Sequence, residues 1–107
     1  MDYRLAKHRE FQILEARTLY IYIVNAPPRF GKDAQRGLNT SSTYYFSVGA
    51  EGDVLPLTFN NLKRAFPTNY RFHDSLDAAF PFGGLEQYDE FHRMFKVNHL
   101  LEVADAR

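Results

Sequence analysis

TLYIYIVN, residues 18–25, places β-branched and aromatic side chains at nearly every position of a short run. That composition favours an extended strand over a helix. Leu19, Ile21 and Ile23 alternate with Tyr20, Tyr22 and Val24, and both sets are apolar or tyrosine. A strand of this kind belongs in the middle of a sheet, covered on both faces. Pro27 and Pro28 end it, because neither can donate to a sheet ladder.

Downstream, TYYFSV (43–48), a GAEGD turn and VLPL (54–57) read as a hairpin. Tyr44, Phe46 and Val48 alternate with Tyr45 and Ser47, as in a sheet with one better-buried face. Pro56 confines the second strand to an edge or a short length. Upstream, YRLAKHREFQILE (3–15) holds good helix formers and neither Gly nor Pro, and predicts a helix. Beyond the hairpin the period becomes helical. Thr58 caps a helix whose Phe59, Leu62 and Phe66 share a face, and Pro67 stops it. Asn69 caps another, with Phe72, Leu76 and Phe80 in line and Pro81 as the stop. LKRAFP (62–67) and LDAAFP (76–81) are thus one stop signal used twice, docking Leu62, Phe66, Leu76 and Phe80 into one core. Gly83-Gly84 turn the chain, and residues 85–104 predict the longest helix, with Leu85, Tyr88, Phe91, Phe95 and Leu100/Leu101 as its buried stripe. Strands first and helices afterwards make an α+β fold. The expectation is one domain over residues 1–107: an antiparallel sheet of about three or four strands packed against three C-terminal helices, plus the N-terminal helix.

The 107 residues suit a single domain with one core. At 45% hydrophobic and 16% aromatic, the chain is too apolar for a disordered segment. Thirteen basic and thirteen acidic residues cancel, so no global field draws it to nucleic acid or anionic membrane. Residues 1–40 hold seven Lys/Arg against four acids, and the remainder is correspondingly acidic; charge matching inside the molecule accounts for such a split. The absence of cysteine excludes disulfides, thiolate nucleophiles and cysteine-ligated zinc. MDYRLAKHRE lacks the apolar core of a signal peptide, and no apolar run reaches a membrane-spanning length.

Four constellations in the chain hold residue types that can carry chemistry. YIVNAPPRFGKD resembles a phosphate-binding loop, but Ala26 replaces the first glycine, Asp33 replaces the Ser/Thr, and two prolines remove amides; nucleotide binding is rejected. Arg29, Phe30, Lys32 and Arg36 in the same loop mix cations with an aromatic ring, as an RNA-binding or acidic-partner loop does. In a neutral chain they read first as solvated charges, so nucleic acid is not favoured. Asp89, His92 and His99, placed on one face of the predicted last helix, are half of a carboxylate–histidine metal motif. Lys96 between them argues against a cation there, and a surface pair is the plainer reading. His73-Asp74 cannot act as base and orienter, because adjacent helical residues do not face each other. The sequon Asn39-Thr40-Ser41 matters only in a eukaryotic secretory host. No motif calls for a cofactor.

The order YYFSV…VLPLTFNNLKRAFPTNYRFHDSL…GLEQYDEFHRMFKVNHLL, preceded by REFQILEARTLYIYIV, resembles the C-terminal part of a loose group of exported bacterial proteins. These share a Tyr-rich hairpin, a Pro-Leu-Thr step and short helices ending in Phe-Pro. The resemblance implies export to the periplasm and an N-terminal portion upstream of this segment; without export the chain would be cytoplasmic. It carries no activity and no functional residues. The leading expectation is therefore a non-enzymatic interaction or structural module that meets a protein partner or a second copy, with Arg29, Phe30, Tyr44 and Tyr45 as contacts. The alternatives are a small metal-dependent hydrolase using Asp89, His92 and His99, and RNA binding through residues 29–36.

Overall fold

The computed structural model describes residues 2–6, 9–26 and 41–105. Five strands form one antiparallel sheet in chain order: β1 (Tyr3–Ala6), β2 (Arg9–Ala16), β3 (Leu19–Ala26), β4 (Ser41–Val48) and β5 (Leu55–Pro56). Helices α1 (Phe59–Ala65) and α2 (Tyr70–Ala79) follow. A small hairpin of β6 (Tyr88–Asp89) and β7 (Met94–Phe95) leads into α3 (Lys96–Asp105). The α+β class and the C-terminal position of three helices are as the sequence predicts.

β3 is the middle strand, and Leu19, Ile21 and Tyr22 on its two faces are all fully buried. Leu19, Ile21 and Phe46 face the helices and pack with Leu62, Phe72, Leu76, Phe80, Val97 and Leu101. Each such side chain withdrawn from water contributes about 1.5–3 kcal/mol. The opposite face carries a smaller aromatic core of Phe11, Tyr22 and Val54, flanked by Ile13, Tyr20 and Tyr45. Phe11 meets Tyr45 edge-on at 5.0 Å between ring centroids. Tyr22 donates its hydroxyl proton to Ser47 Oγ at 2.7 Å, because Ser47 gives its own proton to the Gly49 carbonyl. Arg4 donates to both hydroxyls, at 3.0 and 3.2 Å. The polar tips of this aromatic face are thus satisfied.

Two expected helical segments differ in the structure. Residues 3–6 and 9–15 are strands rather than a helix, paired antiparallel with Arg4 opposite Phe11. Their helix-forming composition gives way to cross-strand packing, in which Phe11 and Ile13 find β3. The alternation that would have betrayed the strand is broken by a bulge: Ile13 opposes Tyr22, Glu15 opposes Ile21, and Leu14 is the extra residue. Five strands therefore stand where three or four are expected. The last helix begins at Lys96 rather than at residue 85, and Tyr88 and Phe91, assigned to its buried stripe, are exposed.

The Phe-Pro stops behave as read. Thr58 and Asn69 accept the amides of Asn61 and Phe72, each at 3.1 Å, and the helices close at Phe66 and Phe80, one residue before each proline. Phe66 meets Phe72 edge-on at 5.5 Å. His73 Nε2 lies 2.8 Å from the Phe66 carbonyl, binding the end of α1 to α2. Among the described residues no helix is long and apolar enough to cross a membrane.

Candidate functional site

The segment from Pro81 to His99 brings together the most exposed aromatic rings and the tightest group of histidines. It leaves α2 through Gly83 and Gly84, both in the left-handed region (φ 83° and 86°) that glycine adopts without strain. β6 and β7 then pair Tyr88 with Phe95 and Asp89 with Met94. Arg93, also left-handed at φ 55°, closes the turn between them. No glycine or asparagine marks that turn, and its local signal is Asp89, whose side chain accepts the His92 amide.

This hairpin is tied to the main sheet from below. Glu15, turned toward the helices by the bulge, accepts the Phe95 amide at 3.0 and 3.2 Å and the Asn98 side-chain amide at 2.8 Å. Asn98, fully buried, bonds both backbone groups of Leu19 at 2.9 Å. Leu19 lies just past the last β2 pairing, Ala16 with Tyr20, so the side-chain amide continues the ladder where the strand has stopped.

On this base Asp89, His92 and His99 converge. One ligand-type atom from each lies within 4.8 Å of the others. His92 Nδ1 is 2.7 Å from Asp89 Oδ2, and Asp89 Oδ1 accepts the His92 backbone amide at 3.1 Å. The His92 and His99 rings stack with centroids 3.7 Å apart and planes inclined by 20°. The hydrogen bond from the His92 side chain, and after it the one from the His92 backbone, hold the Asp89 carboxyl below its ordinary value. The group expected on one helical face is thus assembled differently: Asp89 comes from β6, His92 from the turn and His99 from the first turns of α3. Lys96, expected to repel a cation, lies instead 5.7 Å from the centre of the Phe80 ring.

The other predicted contacts separate. Tyr44 and Tyr45 are half-buried, and Tyr45 is engaged by Phe11 and by Arg9 Nη1 at 3.1 Å. Arg29, Phe30, Lys32 and Arg36 lie outside the described residues, as do Asn39 and Thr40 of the sequon. Sequence reasoning missed Glu15 and Asn98, whose roles depend on contacts across some eighty positions of chain. It also missed Phe82, 99% exposed on the glycine turn. No family model, curated protein or solved structure matches the chain, so the site is read from its own geometry.

Proposed function

We propose that this chain is a non-enzymatic interaction module that engages a protein partner through the segment from Pro81 to Arg93. The observation that carries the reading is the exposure of two phenylalanines, Phe82 at 99% and Phe91 at 88%, on neighbouring turns of that segment. Each ring transferred from water into a partner's pocket would yield about 1.5–3 kcal/mol. The rings stand on turn tips and so suit insertion into a protein pocket better than enclosure of a small ligand. Tyr88 in the same segment is half exposed, and exposed Glu86, Gln87, Glu90 and Arg93 supply the polar rim that protein interfaces carry.

The test compares the chain with a Phe82→Ser/Phe91→Ser variant, whose thermal midpoint should stay close to that of the parent because both rings are already exposed. Sedimentation velocity reads self-association, and quantitative affinity capture reads other partners. A self-associated or captured species present with the parent and lost with the variant supports the proposal. Indistinguishable behaviour in both assays overturns it.

A further inference from the structure

We infer that Asp89, His92 and His99 form a site for a divalent transition-metal ion of the zinc type. Two imidazoles and one carboxylate are the borderline donors that zinc, cobalt and nickel prefer over magnesium or calcium. Three elements of the fold deliver one donor each, and the donor atoms lie within 4.8 Å. Ligands bound at about 2.0–2.2 Å to a tetrahedral ion sit roughly 3.4 Å apart, so closure requires side-chain movement of about an ångström. His92, exposed in the turn, is the side chain that would move, giving up part of its contacts with Asp89, Phe91 and His99.

The carboxylate is already oriented as a ligand. Its Oδ1 is held by the His92 amide while Oδ2 faces the His92 ring at 2.7 Å. A backbone bond that fixes a ligand's direction is the usual companion of a metal site. The two imidazoles already lie side by side, with ring centroids 3.7 Å apart, so a nitrogen of each is within reach of one ion together with the carboxylate. Because imidazole lone pairs lie in the ring plane, the stack must open as the ion enters. Lys96, three residues before His99, has its ammonium 5.7 Å from the centre of the Phe80 ring, and Arg93 is the cation next to His92 in the chain. Three protein ligands leave a fourth position for water or for a donor from outside the chain. The bound ion would clip the β6–β7 turn to α3. The two readings share the β6–β7 turn, where the Phe91 ring lies edge-on to His92 at 4.8 Å, but zinc binding is measured separately from self-association or capture, so either can fail alone.

The test uses the tag-free, chelator-stripped full chain. Zn²⁺ titrated by calorimetry should bind with one-to-one stoichiometry and raise the thermal midpoint, while Mg²⁺ should do neither. Asp89→Asn, His92→Ala and His99→Ala should each weaken Zn²⁺ binding by about tenfold or more, given that even the groups supporting a ligand are worth about 10–100-fold. Histidine ring resonances of the unaltered chain give a readout free of any folding defect: Zn²⁺ should move those of His92 and His99 and leave His73 in place. Absence of Zn²⁺ binding, equal binding by the His92→Ala/His99→Ala double variant, or ring shifts confined to other histidines would each overturn the assignment.

Discussion

The side-chain amide of Asn98 bonds the backbone N–H and C=O of Leu19 as a neighbouring strand residue would. A helix thereby extends a sheet, and one buried side chain sets the position of α3 and of the hairpin before it. Asn98→Ala leaves the Leu19 amide without that acceptor, while its carbonyl keeps the Arg17 amide at 3.3 Å. A buried group left unpaired costs about 1–3 kcal/mol, so chemical denaturation should show a loss of about that size. Asn98→Asp should be worse than Asn98→Ala at neutral pH, because it replaces the donor facing Glu15 with a second carboxylate.

Tyr22→Phe removes a buried hydroxyl that accepts from Arg4 and donates to Ser47. The ring stays, so packing against Phe11 is kept and only the polar contribution is lost. Equilibrium unfolding should register about 1–2 kcal/mol of destabilisation. A neutral result would mean that Ser47, still bonded to Gly49 and Arg4, needs no third partner.

Lys63 and Asp77 hold corresponding places in LKRAFP and LDAAFP, directly after each leucine, and they form an ion pair at 2.9 Å between α1 and α2. The one position at which the two segments carry opposite charges is therefore the contact that joins them. Because Asp77 is largely exposed, Lys63→Ala should cost no more than about 1 kcal/mol, and less in high salt. Leu76→Ala, in the fully buried position alongside, should cost about 2–5 kcal/mol. Measured together, the two variants separate the linking charge from the apolar core.

The Asp89–His92 contact should make the hairpin sensitive to acid. A carboxyl held low in the folded state stabilises that state above its unfolded value, near ~3.9, and the contribution is lost as pH falls through the folded value. In the metal-free chain, the Asp89 carboxyl carbon should titrate below other exposed aspartates. The His92 amide should lose protection over that same acid range. Asp89→Asn should remove the acid dependence at that amide, and persistence of the dependence would assign it to another group.

The legible and illegible parts of this chain divide by range. Thr58, Asn69, Pro67 and Pro81 act within one helical turn of themselves, and the two short helices follow from them directly. TLYIYIVN reports burial on both faces through its own composition. By contrast, residues 3–6 and 9–15 are strands through pairing, β2 against β3 and β1 against β2, while local helix propensity points the other way. The 85–95 segment misleads for a second reason: Leu85, Tyr88 and Phe95 fall at spacings that a helix also satisfies, and the turn closed by Arg93 carries Asp89 but neither glycine nor asparagine. The metal candidates were readable as residue types, but the spacing that suggested them belongs to a helix that does not extend so far. Their meeting is a product of chain reversal.

The extra residue at Leu14 has a consequence for how this chain tolerates change. In an uninterrupted strand, Ile13 and Glu15 would project to the same side; here one enters the aromatic core and the other holds the hairpin and α3. The phase of β2 inverts at a single position, so with the pairing to β3 held, a residue added just before Arg17 shifts all of β2 before it by one place. Ala16 would then stand where Glu15 holds Phe95 and Asn98, and Glu15 would move into the bulge. Length, more than identity, is what this stretch must conserve.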